Sequence, residues 1–211
     1  MSSRSPADGS YRAPAAVASA ELRERGSRFL AELVPIAGEA AARTQLRDIE
    51  RRHPAATHHC WAWRSGWPPL ERCSDAGEPA GTAGPPILRV LQGAAVSDAL
   101  LVVTRWFGGV KLGRGGLARA YAGAASACLA AARLVDRRPT VTFRMVAPYS
   151  AMGAVRKLWA GPGVEVARRD FGERVVAELR VDASAVAEFE SAVRNLGGVV
   201  ELERIPRDTA P

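Results

Sequence analysis

Thr104-Arg105-Trp106-Phe107-Gly108-Gly109-Val110-Lys111-Leu112-Gly113-Arg114-Gly115-Gly116-Leu117-Ala118-Arg119-Ala120-Tyr121 is the stretch on which the reading of this chain turns. The run Ala99-Leu100-Leu101-Val102-Val103 leads into it. That run is short, continuous and β-branched, as a strand buried on both faces would be. The Ala-rich segment Leu117 to Arg133 follows and reads as a helix. Between strand and helix stand five glycines in nine residues: Gly108, Gly109, Gly113, Gly115 and Gly116. Glycine permits positive φ and the close approach of a ligand or of another backbone. A helix N-terminus offers free N–H groups to an anion. Arg105, Lys111, Arg114 and Arg119 add four positive charges with no acid between them. These cations and glycines are the candidate anion or nucleic-acid site. A tight packing turn is the competing reading of the same glycines.

The chain has 211 residues, room for one large or two small domains with real cores. Its net charge is +7 and its isoelectric point about 10.1. Residues 22–134 carry 15 basic and 9 acidic side chains, whereas residues 135–211 carry 12 and 11. The excess therefore sits in the half that holds the Gly-rich loop, which points to a polyanionic partner. No apolar run approaches the roughly 20 residues that span a bilayer. The N-terminus lacks the apolar core of a signal peptide. The three cysteines, Cys60, Cys73 and Cys128, show no zinc spacing. A reduced, cytoplasmic setting is expected, with no membrane partner and no metal or other cofactor.

Residues 1–20 are rich in Ser, Ala, Pro and Gly and are expected to be a disordered arm. Strands are expected at 28–34, 58–63, 70–74 and 99–106, and a helix from about Gly38 to Arg52 with Ala42, Leu46 and Ile49 on one face. The Gly- and Pro-rich run 75–86 excludes a regular element and feeds a helix over 87–92. A boundary falls near Asp136-Arg137-Arg138-Pro139. Beyond it the pattern is strand 141–147, helix to Trp159 capped by Ser150, strands 164–168 and 175–181, helix capped by Asp182, and strand 199–204. The order βαββαβ is that of a split βαβ sandwich. Pro206 onward is a tail.

Asp75 and Glu78 stand three apart in the rigid Gly/Pro loop and could act as acid and base or hold a metal. Equally, Asp75 caps its turn and Glu78 pairs with an arginine such as Arg105. On a strand, His58 and Cys60 share a face, and a Cys–His pair is one route to thiol catalysis. His58, His59, Cys60, Asp75, Glu78 and Thr82 make up a second candidate cluster. No catalytic residue is assigned. Trp61, Trp63, Trp67 and Trp106 suit base stacking or core packing alike.

The loop closely resembles the signature of the YigZ/Impact family, RYFGGxKLGxGGLxRAY, with Trp106 in the place of the tyrosine. Ala56-Thr57-His58-His59-Cys60-Trp61-Ala62 is similar to that family's A-x-H-x-C-x-A element. Ser74-Asp75-Ala76-Gly77-Glu78-Pro79-Ala80-Gly81-Thr82-Ala83-Gly84 is similar to its S-D-D-G-E-P-x-G-T-A-G element. Ala76 replaces the second aspartate, which takes one carboxylate from any metal or acid–base role there. The resemblance implies an α+β fold. An N-terminal domain (21–135) like the second domain of ribosomal protein S5 would be followed by a ferredoxin-like domain (140–206) like the last domain of elongation factor G, then a tail (207–211). None of the 211 residues is expected to form the RWD domain of the eukaryotic members. The expected function is binding of RNA or another polyanion, or of a ribosome-associated factor, linked to translation or its regulation. The alternatives are an enzyme acting on a small phosphorylated substrate, or a hydrolase using the region of His58, Asp75 and Glu78. The oligomeric state is left open.

Overall fold

A computed structural model of the chain describes residues 10–205, which divide into two compact units, 10–137 and 138–205. Both are α+β. The first holds β1 (Tyr11–Pro14), β2 (Ala18–Glu24), β3 (Ser27–Pro35), α1 (Glu39–Arg52), β4 (His58–Ser65), β5 (Leu70–Ser74), α2 (Gly84–Gly93), β6 (Ala99–Trp106), α3 (Gly113–Ala131) and β7 (Leu134–Arg137). Five of its strands form an antiparallel sheet in the order β2-β3-β6-β4-β5, so the continuous apolar run lies at the centre.

Period-two alternation sends the two halves of that run to opposite faces. Ala99, Leu101 and Val103 pack with Phe29, Cys60 and Ala62 against Ile87 and Leu91 of α2 and Leu117, Tyr121 and Ala124 of α3. Leu100 and Val102 pack with Val34 and Trp63 against Ala42 and Ile49 of α1. A strand covered on both sides needs no polar face, which is why this one has none. Tyr121 lies edge-on to Phe29, with ring centroids 5.2 Å apart.

The second unit holds β8 (Thr140–Ala147), a 3-10 turn (Tyr149–Ala151), α4 (Met152–Trp159), β9 (Val164–Phe171), β10 (Val175–Asp182), α5 (Val186–Arg194) and β11 (Glu201–Ile205). Its antiparallel sheet runs β11-β8-β10-β9. Val155 of α4 and Val186, Phe189 and Val193 of α5 close over Phe143, Met145 and Leu179.

The structure departs from the sequence reading in several places; α2 begins at Gly84, within the run 75–86 expected to hold no regular element, because proline fits the first turn of a helix, and β11 begins at Glu201, not Val199. Residues 10–20 are not an arm. Tyr11–Pro14 pairs antiparallel with β7, a strand the composition did not announce, and β2 begins at Ala18. The first unit therefore starts by residue 10, not 21; residues 1–9 and 206–211, with the expected tail, lie outside the described residues. The helix after the Gly-rich loop starts at Gly113 and ends at Ala131 rather than spanning 117–133. Ser150 and Asp182 cap nothing through their side chains, because α4 and α5 begin after Ala151 and Ala185. Asp182 instead ends β10 and faces Arg138 at 3.6 Å.

Candidate functional site

Asp75 leaves β5 and turns back over the loop it opens. Its carboxylate accepts N–H bonds from Gly81 (2.8 Å), Ala83 (2.8 Å) and Gly84 (2.9 Å). Partial burial pushes its pKa up, but the three donors and nearby Arg114 outweigh that and hold it below the usual carboxylate value. Asp75 thus caps the start of α2, a helix whose first residues include proline. Thr82 is buried and ties the same turn, its Oγ1 donating to the Pro79 carbonyl at 2.6 Å.

Glu78 points inward from this loop. Its Oε1 accepts from Arg105 Nη1 at 2.5 Å and from the Tyr121 hydroxyl at 2.8 Å, and all three residues are buried. Arg105 Nη2 donates to Ser27 Oγ at 3.2 Å. Arg105 is therefore the core partner of Glu78 and does not converge with the other loop cations. The His58 imidazole is fixed by Nδ1–H donating to the Ala76 carbonyl at 2.9 Å, which turns Nε2 toward Glu78 Oε1 at 4.0 Å. Ala76 has φ 44, a left-handed conformation that aspartate and asparagine tolerate better than alanine.

Cys60 shares the face of His58, and its thiol donates to the Asp75 carbonyl at 2.9 Å. Burial pushes its pKa up to about 12. Such a thiol favours its protonated form at neutral pH. His59 points to the α1 side, with Nδ1 3.1 Å from Thr104 Oγ1, and burial lowers its pKa. Adjacent strand residues diverge, so the six candidates do not form one centre. Among the described residues no group of three or more His, Cys, Asp or Glu side chains could hold a metal ion. Trp63 is buried, Trp61 packs against the α1-side core, Trp67 stacks on Tyr11, and Trp106 lies between Arg28 and His53.

The Gly-rich loop is exposed from Phe107 to Lys111. Its glycines do different jobs. A Cβ on Gly108 would lie 1.9 Å from the backbone carbon of Gly26, so this glycine serves the close approach of two chain segments. Gly109 and Gly113 take φ 86 and 68. Gly115 and Gly116 lie in the first turn of α3 without positive φ. That turn has neither an acidic residue nor a side-chain cap. Lys111, Arg114 and Arg119 are exposed around it. Arg114 also donates to the Ala80 carbonyl at 2.8 Å, joining this loop to the Asp75 loop. Phe107, directly before two glycines, is 47% exposed.

Both loops fall within residues 25–129, which match the Impact N-terminal domain. Residues 145–198 match a domain of unknown function, DUF1949. The chain is 32% identical over 185 residues to IMPACT family member YigZ of Escherichia coli (strain K12), covering 86% of this chain and 91% of that protein. The chain belongs to the IMPACT family. An IMPACT family member of Thermus thermophilus is 39% identical over 158 residues, 74% of this chain and 84% of that protein. The crystal structure of a hypothetical protein superposes with a TM-score of 0.67 at 30% identity, covering 95% of this chain and 99% of that one. In this IMPACT family protein both loops that carry the family signatures meet through Arg105–Glu78 and Arg114–Ala80. No helix among the described residues is long and apolar enough to cross a membrane.

Proposed function

We propose that the first unit binds RNA through the Gly-rich loop and the start of α3, and that the protein acts in translation or its regulation. One contrast carries the reading. The N-terminus of α2 is neutralised by Asp75, while that of α3 is uncapped, free of acid and ringed by Lys111, Arg114 and Arg119. Oriented N–H groups and exposed cations together suit phosphate oxygens. The excess of basic residues in this half supports a polymer rather than a single anion. Strand order β11-β8-β10-β9 with one helix in each crossover fits the ferredoxin-like arrangement, and the sheet with α2 and α3 on one face fits the S5-like reading of the first unit. Resemblance to two domains of the translation apparatus favours RNA as the polyanion, and a cytoplasmic setting agrees with it.

The test is fluorescence anisotropy with RNA over a salt series. Replacing Lys111 and Arg114 together by Ala is expected to weaken binding whatever the RNA sequence. It should also flatten the log–log salt slope by roughly 0.7–0.9 for each lost phosphate contact. The melting temperature should stay put, since both side chains are exposed. Unchanged affinity and slope in the double variant, or no binding by the wild type at low salt, would overturn the proposal.

A second reading, an enzyme on a small phosphorylated molecule, has one observation in its favour: His58 held with Nε2 toward Glu78 at the edge of the same surface. Thermal stabilisation by ATP with none by RNA would favour it.

A further inference from the structure

Phe107 opens the basic loop with 47% of its surface in water. Burying such a ring stabilises a fold, and this one forgoes much of that gain. Yet the backbone that carries the ring is firmly held. The Phe107 N–H donates to Thr57 Oγ1 at 3.0 Å, and the Gly108 N–H donates to Ser27 Oγ at 3.3 Å. Gly108 lies against Gly26 too closely for any side chain. The Arg105 guanidinium lies 5.5 Å from the Phe107 ring centre and 5.4 Å from that of buried Phe29. The same guanidinium is fixed by Glu78 and Ser27. A buried ion pair adds little net stability over apolar residues, and holding one geometry is a role it can fill. Here the pair ends on an exposed ring, with Lys111, Arg114 and Arg119 close by in sequence and open to solvent.

We propose that Phe107 is a stacking platform for an unpaired base, and that the RNA bound by this surface is single-stranded. The inference rests on the loop being an RNA site. A π-face accepts any base, and the cations accept the phosphates on either side of it. Bases within a duplex are stacked on each other and offer no free face. The exposed ring therefore favours single strands, which the cations alone would not do. Glu78 and Arg105 position the platform and do not touch the ligand.

The experiment compares a single-stranded oligoribonucleotide carrying 2-aminopurine with its duplex, on the full chain. Wild type should quench the fluorophore of the single strand. Phe107→Ala should weaken single-strand binding roughly 5- to 150-fold, the range seen when one stacking aromatic is removed, and leave duplex binding unchanged. Phe107→Tyr should keep both affinity and quenching. Phe107→Leu, of similar apolar bulk, should lose the quenching. Unchanged single-strand affinity and quenching in Phe107→Ala would overturn the platform while leaving the loop an RNA site. So would an equal loss on the duplex, which would mark the ring as structural or as the seat of a protein contact. Absence of any RNA binding by the wild type would overturn both readings.

Discussion

Gly108 and Gly115 are seven residues apart in one signature, and only one of them is sterically required. Gly108→Ala drives a methyl group into the backbone of Gly26, where 1.9 Å separates atoms that need about twice that. It is expected to cost more than about 3 kcal/mol in urea unfolding. Gly115→Ala places its methyl in the open, 3.5 Å from Arg119 Nη1, on a helical residue. It should be neutral or stabilising by up to about 1 kcal/mol. The Glu78–Arg105 pair obeys a second rule of single residues. Glu78→Gln leaves a buried guanidinium without its counter-charge and is expected to cost about 3–5 kcal/mol. Replacing both partners by methionine should cost less than that single change. An equal or larger loss would show that the pair adds stability in its own right.

Among the elements, β6 was legible because burial on both faces leaves a continuous apolar run, α1 because its apolar residues repeat with helical period, α2 because prolines mark its start, and α3 because it is rich in alanine. The β1–β7 ribbon was not legible. Tyr11-Arg12-Ala13-Pro14 has no alternation of its own, and its partner lies far along the chain. Cap prediction failed at Ser150 and Asp182, where alanines precede the helices, and succeeded at Asp75, whose acceptors face three N–H groups at once. The two loops could be singled out in the sequence; which of their side chains join a buried network and which lie exposed could not, because spacing does not tell whether Arg105 faces Glu78 or water. Asp75 also makes α2 sensitive to acid. Its carboxyl sits below the ordinary value, so the fold prefers the ionised form. That contribution is complete above the unfolded value of about 4 and is lost as pH falls through the lower folded value. Asp75→Asn should therefore be less stable than wild type by about 1 kcal/mol at pH 7, with the gap closing below about pH 4. A gap independent of pH would contradict the charge-assisted cap.

For the whole molecule, the two units have separate cores and should unfold as separate transitions in calorimetry. Removing residues 1–15 takes away β1 with its buried Tyr11 and Ala13. It is expected to cost the first unit on the order of 3 kcal/mol, as loss of a buried aromatic does, and to leave the second transition where it was. Loss of neither would mean that the β1–β7 ribbon is ornamental. The ribbon also has a consequence in time. The ribosome makes β1 early and β7 about 120 residues later, which at roughly 5–20 residues per second is about 6–24 s of synthesis. Through that interval β1 lacks its antiparallel partner β7, and only the contacts of Tyr11 with Trp67 and Asp98 and of Arg12 with Val96 can form as those residues emerge. The β1–β7 ladder is thus among the last pairings of its unit to close, and a nascent chain stalled before Leu134 lacks it.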